Sequence, residues 1–376
     1  MRSRITRLLY FLSLFFVYTS YKSYQLWPTQ PVLAVFFALI FFIVMIIGTF
    51  AYRIRPNIYD ETWFRVVSWA GSLAMGLWAS FVIISLPFDI FHAVTFVFGK
   101  NFFTQEVSVR IFGFAILLSL IGFLQVVRGP KIVEVSIAIP GLNQAFEGLK
   151  IAQISDLHVG TTIRKGYVEE VVRITNAALP DLIFLTGDIA DAHPGSIAEN
   201  LAPLAHLKSR YGSYFVTGNH EYFWDPQALT TKFRELKMNV LLNDHRIIKV
   251  GDRQLMIAGV TDPVGEHILP GHKPNASTAL TTNEKIDLKI LLSHRPDVYR
   301  EAEGFGADLQ FSGHTHAGQF FPFSLFIGLA HKYSRGLYRY GRMWVYVNPG
   351  TGYWGPANRL GVTAEVTLVT CRAGEA

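Results

Sequence analysis

Five short blocks carry side chains that bind metals or move protons: Ser155-Asp156-Leu157-His158, Gly187-Asp188-Ile189-Ala190-Asp191, Gly218-Asn219-His220-Glu221, Ser293-His294 and Gly313-His314-Thr315-His316. Their donors are carboxylates, imidazoles and an amide. No thiolate joins them, since the single cysteine is Cys371. Such a set suits Mn, Fe or Zn. A carboxylate shared between two ions spaces them about 3.5–4 Å apart, the arrangement for in-line displacement at phosphorus. Phosphate esters are the expected substrates, because their anionic oxygens need positive compensation. Any one block alone is weak, since polar residues decorate strand-terminal turns anyway. Five together, each beside glycine or serine, are a site.

The blocks need elements that bring them together. Val133, Val135, Ile137 and Ile139 alternate with the period of a strand, and Leu149–Ser155 is a second short apolar run. Further strands are expected at 182–186, 214–217, 246–250, 254–260, 286–292, 309–311, 344–347 and 362–369. Helices are expected at 167–178, at 197–208 and after Asp225-Pro226, an N-cap followed by proline in the first turn. Residues 262–283 read as a polar surface loop. Each chemical block then stands just after a strand, and open α/β sheets gather such ends into one crevice.

On these five blocks, in their order and spacing, residues 149–319 resemble the calcineurin-like metallophosphoesterases. The resemblance implies a layered β-sandwich flanked by helices. It implies two divalent metal ions. Asp156, His158, Asp188 and His316 would hold the first, with Asp188 bridging; Asn219, His294 and His314 would complete the second. The implied nucleophile is a hydroxide between the ions. His220 would stabilise the transition state or protonate the leaving oxygen, and Asp191 would orient it. In phosphoprotein phosphatases an arginine follows that second aspartate; here Ala192 and His193 follow, which argues against a Ser/Thr phosphatase. His193 reads as a loop histidine.

The rest of the chain has a different composition. Only 16% of the residues are charged, against about 25% in soluble domains. Residues 1–150 hold 12 Lys and Arg against 6 Asp and Glu, and residues 151–376 hold 22 against 22. The net positive charge therefore lies in the apolar part, and no nucleic-acid-binding patch is evident. About four spans are expected, at 8–27, 32–52, 66–86 and 109–127, so that residues 1–130 form a transmembrane domain and 131–376 a metallophosphoesterase domain. The first is read as a span because no small-x-small cleavage site follows Val17–Tyr24. Beyond Pro87, Asp89 and His92 are expected at an interfacial turn. Arg2, Arg4, Arg7, Arg53, Arg55, Arg65, Arg128 and Lys131 fall on one side, and Lys22, Lys100 and Arg110 on the other. That bias points to a catalytic domain in the cytoplasm, and the membrane expected is a bacterial inner membrane.

Membrane attachment makes the chain similar to the membrane-associated branch of the family, which implies a phosphodiester or pyrophosphate bond in a lipid or lipid-linked substrate. The apolar run Phe320–Leu329 follows the last block and reads as a lip for acyl chains, a bilayer contact or core. Arg335, Arg339 and Arg342 beyond it are candidates for phosphate oxygens. Two other functions fit the sequence: a phosphodiesterase for a soluble substrate, and a transporter or membrane sensor with a metal-binding regulatory domain.

Overall fold

The computed structural model describes residues 2–54, 58–99 and 104–374. The chain divides into two compact units, residues 1–124 with 355–358, and residues 125–354 with 359–376.

The first unit is helical: α1 (Arg2–Leu26), α2 (Pro31–Ile54), α3 (Thr62–Val97) and α4 (Gln105–Val127). Among the described residues, α2, α3 and α4 are long and apolar enough to cross a membrane. Leu26, Trp78, Phe81, Ile111 and Ala115 form the buried centre. The turn expected after Pro87 is absent, because α3 continues through the proline to Val97. The polar residue beyond the proline is partnered: the Lys22 ammonium lies 2.6 Å from the Asp89 carboxylate, and the Tyr18 hydroxyl donates to Asp89 at 2.6 Å. Neighbouring helices of this kind let a proline stay inside a span. Two cations of the charge-bias reading, Arg55 and Lys100, lie outside the described residues, as do the side chains of Arg2, Arg4, Arg7 and Arg53.

The second unit carries twelve strands among its described residues: β1 (Lys131–Pro140), β2 (Lys150–Ile154), β3 (Leu182–Leu185), β4 (Ser213–Phe215), β5 (Asn239–Val240), β6 (Asp244–Val250), β7 (Arg253–Gly259), β8 (Leu288–Leu292), β9 (Leu309–Ser312), β10 (Gly336–Tyr340), β11 (Met343–Val347) and β12 (Glu365–Gly374). Helices α5 (Lys165–Ala177), α6 (Pro194–Leu201), α7 (Asn219–Phe223), α8 (Pro226–Glu235), α9 (Ala276–Leu280), α10 (Tyr299–Gly304) and α11 (Phe323–Ala330) connect them. One sheet has the order β1-β12-β2-β3-β4-β5 and the other β10-β11-β9-β8-β7-β6. Within them β2, β3 and β4 run parallel, as do β7, β8 and β9. Their side chains meet in one core, with Ile151, Phe184, Tyr214 and Val369 from one sheet and Ile257, Ile290, Phe311 and Tyr346 from the other. This is the expected layered sandwich, an α/β domain with helices outside.

Two local expectations fail. The helix begun at Pro194 ends at Leu201 and continues as a 3₁₀ turn through Pro203, whose ring and missing N–H cannot propagate an α-helix. Residues 262–283 are not wholly a surface loop: α9 buries Ala276, Ala279 and Leu280 against the outer face of the second sheet. Alanines carry little hydrophobic contrast, so the segment reads as polar.

Candidate metal centre

Strand ends deliver the site. Asp156 and His158 follow β2, Asp188 follows β3, Asn219 and His220 open α7 after β4, His294 follows β8, and His314 and His316 follow β9. Neighbouring parallel strands thus offer their carboxyl ends from both sheets. The turns are sharp: Asp156, His158, Asp188, His314 and His316 all have positive φ, between 49° and 71°. Non-glycine residues rarely occupy that region, and such strain gathers at functional sites. Gly218 serves by closeness instead, since a β-carbon there would meet the Asp188 backbone nitrogen at 2.6 Å.

Eight of the nine residues singled out from sequence fall into three groups of neighbouring ligand atoms, and the ninth, Asn219, precedes His220 at the start of α7. Asp156, His158 and His316 form one group of ligand atoms within 4.8 Å of one another, and Asp188, His294 and His314 form another. A third joins His158, Asp191 and His220. Asp188 is the hub: its Oδ2 lies 3.1 Å from His294 Nε2 and 3.9 Å from both His158 Nε2 and His220 Nε2. His158 Nε2 and His316 Nε2 face each other at 3.0 Å, and His314 Nδ1 faces His294 Nε2 at 3.2 Å. The Asn219 Oδ1 is buried without a hydrogen-bond partner. Converging lone pairs and an orphaned amide oxygen are what a cation would satisfy, so the residues fit divalent metals.

Protonation follows from burial and charge. Burial alone would lower His294, but the Asp188 carboxylate beside it holds the metal-free imidazole up at about 10. Burial pushes His158 down to about 3, with positive His220 adding to it. Burial would raise Asp188, yet His294 and His220 hold it well below the usual carboxylate range. His220 resists its own burial through Asp191 and Asp188 and rises to about 9. Its Nδ1 donates to Asp191 Oδ1 at 2.8 Å, and Trp224 Nε1 donates to the same oxygen at 3.0 Å.

One consequence is measurable. His294 Nδ1 donates to the Thr186 carbonyl at 2.9 Å, so only Nε2 can face a metal. At neutral pH that nitrogen carries a proton in the metal-free protein, and a metal must displace it. Mn²⁺ binding is therefore expected to release protons and to tighten as pH rises towards 10. Titration calorimetry in two buffers of different ionisation enthalpy checks this; equal heats in both would contradict it.

Three contributors were not singled out in the sequence. Glu221 is fully buried, and its carboxylate accepts the N–H groups of Asp188 (3.0 Å), Ile189 (2.8 Å), Ala190 (3.0 Å) and Gly218 (2.7 Å). It stands in the Gly218–Glu221 block, where nothing in the sequence marks this task. Arg359, also buried, donates to the Pro349 and Gly352 carbonyls and stands 3.2 Å from His316 Nδ1. Trp354 is half-exposed and its ring centre lies 5.4 Å from that of His220. Of the three flagged arginines, Arg339 stacks on Trp344, and Arg335 and Arg342 are exposed. His193 caps α6, accepting from Gly195 N. Glu221→Gln would turn an amide NH₂ towards two of those four N–H donors. We expect a loss of about 2–4 kcal/mol in stability together with weaker metal uptake, read by thermal melting and metal analysis.

Comparison with known proteins agrees with this geometry. The profile of the calcineurin-like phosphoesterases matches residues 149–318. An uncharacterised metallophosphoesterase of Helicobacter pylori is 30% identical over 362 residues, covering 94% of each chain. The chain belongs to the calcineurin-like metallophosphoesterases. A zebrafish (Danio rerio) protein named transmembrane protein with metallophosphoesterase domain is 32% identical over 267 residues, 68% of this chain and 60% of its own length. The chain thus spans about 60% of the first vertebrate relatives it matches. A 5′-nucleotidase precursor from Thermus thermophilus shares 17% identity at a TM-score of 0.38, covering 59% of this chain and 54% of that one. The zebrafish and cattle relatives are named as transmembrane proteins, and among its described residues this metallophosphoesterase has three helices long and apolar enough to cross a membrane.

Proposed function

We propose that residues 131–376 are a catalytic domain hydrolysing a phosphodiester or pyrophosphate bond in a lipid or lipid-linked substrate, and that residues 1–130 anchor it. The observation that carries this reading is the position of Asp188, whose Oδ2 is within 3.9 Å of three histidines from three separate chain segments. Asp156, His158, Asp188 and His316 would hold one divalent ion, and Asp188, Asn219, His294 and His314 the other, as Mn, Fe or Zn. When bound, the ions supply Lewis acidity and a water of lowered pKa.

The chain's own groups do the remaining work. His158, His314 and His316, kept neutral by burial, present nitrogen lone pairs, while His294 must first give up its Nε2 proton. Buried walls exclude bulk water and strengthen every charge interaction at the phosphorus. His220, kept protonated by Asp191, would give its Nε2 proton to the departing oxygen. Asp191, fixed by Trp224, holds the imidazolium in that orientation. The cation bias of the sequence supports a cytoplasmic position for this domain at a bacterial inner membrane.

The test is turnover of bis-p-nitrophenyl phosphate by the detergent-solubilised full chain with added Mn²⁺, followed by acylated and deacylated phosphodiesters. Hydrolysis that chelator abolishes and Mn²⁺ restores is expected, with the acylated ester preferred. No turnover with any divalent metal would favour the sensor reading; equal rates on both esters would remove the lipid.

A further inference from the structure

Helix α11 is apolar along its whole length, Phe-Ser-Leu-Phe-Ile-Gly-Leu-Ala, and none of its residues is buried. Leu325, Phe326 and Leu329 are 66%, 54% and 88% exposed, and Phe321 and Phe323 stand out beside them. The buried clusters of the domain contain none of these side chains. The helix is nevertheless firmly seated from below. Phe321 N donates to the Leu360 carbonyl at 2.8 Å, Ser324 N to the Phe320 carbonyl at 3.1 Å, and Phe320 is buried edge-on to Phe323. Gly318 lies so close that a β-carbon there would meet Ser324 Cα at 2.7 Å.

Both ends of α11 are tied to the metal centre. It follows the turn that carries His316, and the residue after it, His331, stacks edge-on to His314 at 5.6 Å. The same turn holds Trp354 in place: Gln319 Nε2 donates to the Trp354 carbonyl at 3.0 Å and Trp354 N donates to Gln319 Oε1 at 2.8 Å. Trp354 and the exposed Phe223 both touch the ring of His220. Apolar surface is thus tied, through one turn, to the residue placed nearest the leaving group.

A water-facing patch of this kind on a soluble domain marks an interaction site. Two features on the same chain identify the occupant. Only residues 128–130 separate the membrane-type helix α4 from β1, so the domain stays within reach of a bilayer. Exposed Lys332 and Arg335 follow α11 directly, complementary to anionic headgroups. We infer that α11 inserts into the interfacial layer of the bilayer and delivers an acylated phosphoester to the metal centre. The delivery half rests on the hydrolase reading above; the insertion half does not.

The full chain in vesicles of phosphatidylglycerol and phosphatidylcholine tests both halves. Cys371 is buried, so Leu329→Cys can be labelled selectively with an environment-sensitive dye. Quenching by nitroxide on lipid tails, with shielding from a water-soluble nickel chelate, is expected. Quenching by the chelate would overturn insertion, and so would shielding from both, which would mean protein, such as a second copy, covers α11. In the second arm, Leu325→Glu/Leu329→Glu is compared with the unaltered chain at equal Mn²⁺ content. The ratio of turnover on acylated over water-soluble phosphodiester should fall about tenfold or more; an unchanged ratio would overturn delivery. If the unaltered chain hydrolyses no phosphodiester at all, the hydrolase reading and delivery fall together, and the quenching result still decides insertion.

Discussion

Asp188→Asn lowers kcat/KM on a phosphodiester by about 10³-fold or more and leaves the fold intact. Asparagine has the same shape, so the hydrogen bond from His220 N to Oδ1, 2.8 Å long, can persist. The negative charge cannot. In the metal-free protein Asp188 is the carboxylate that holds a proton on His294 and raises His220. In the proposed two-ion centre it would be the group best placed to serve both ions, because it faces histidines from each half of the site. Losing one of two ions forfeits several kcal/mol of charge stabilisation in the transition state, and each 1.36 kcal/mol is about tenfold in rate. Metal content by mass spectrometry and kinetics on the same sample check this. Activity within tenfold of the unaltered chain would refute the bridging role.

His220→Gln separates proton delivery from metal binding. The expected loss is about 10²–10⁴-fold on an alkyl phosphodiester, with metal content unchanged. On a p-nitrophenyl ester the loss should be much smaller, since p-nitrophenolate leaves without a proton. An equal loss on both would assign His220 to charge stabilisation alone. Asp191→Asn is the companion variant. Burial lowers the His220 pKa, and Asp191 together with Asp188 and Glu221 outweighs it, raising the group to about 9. Removing that carboxylate should bring the alkaline fall of the rate to lower pH, because the acid form is lost as pH rises through the folded pKa.

What the sequence disclosed, and what it hid, follows from the range of the interactions. Asp156, Asp188 and His314 were legible because strand ends announce themselves by an apolar run that stops at a polar residue, and because parallel strands send those stops to one edge. Glu221 was visible as a letter but not as a clamp, since its four partners are backbone groups that a sequence never displays. Arg359 lies 43 residues beyond the histidine it faces, and nothing local distinguishes it from the exposed Arg335 or Arg342. The seat of α11 was equally hidden. Its composition fits a buried helix, and only the finished packing shows that none of its own residues is buried. Pro87 misled for a related reason: a proline reads as a stop unless neighbouring helices sustain what it interrupts.

The Lys22–Asp89 pair bears on how the protein is built in the first place. One partner sits on α1 and the other on α3, which is synthesised later. A lone charge in apolar surroundings costs up to about 2.5–3.5 kcal/mol at mid-bilayer on insertion scales, so each of these charges is better accommodated once the other helix has arrived. Biogenesis should then proceed with α1 waiting at the insertion machinery until α3 emerges. A truncation ending before Asp89 would expose Lys22 as a degradation signal.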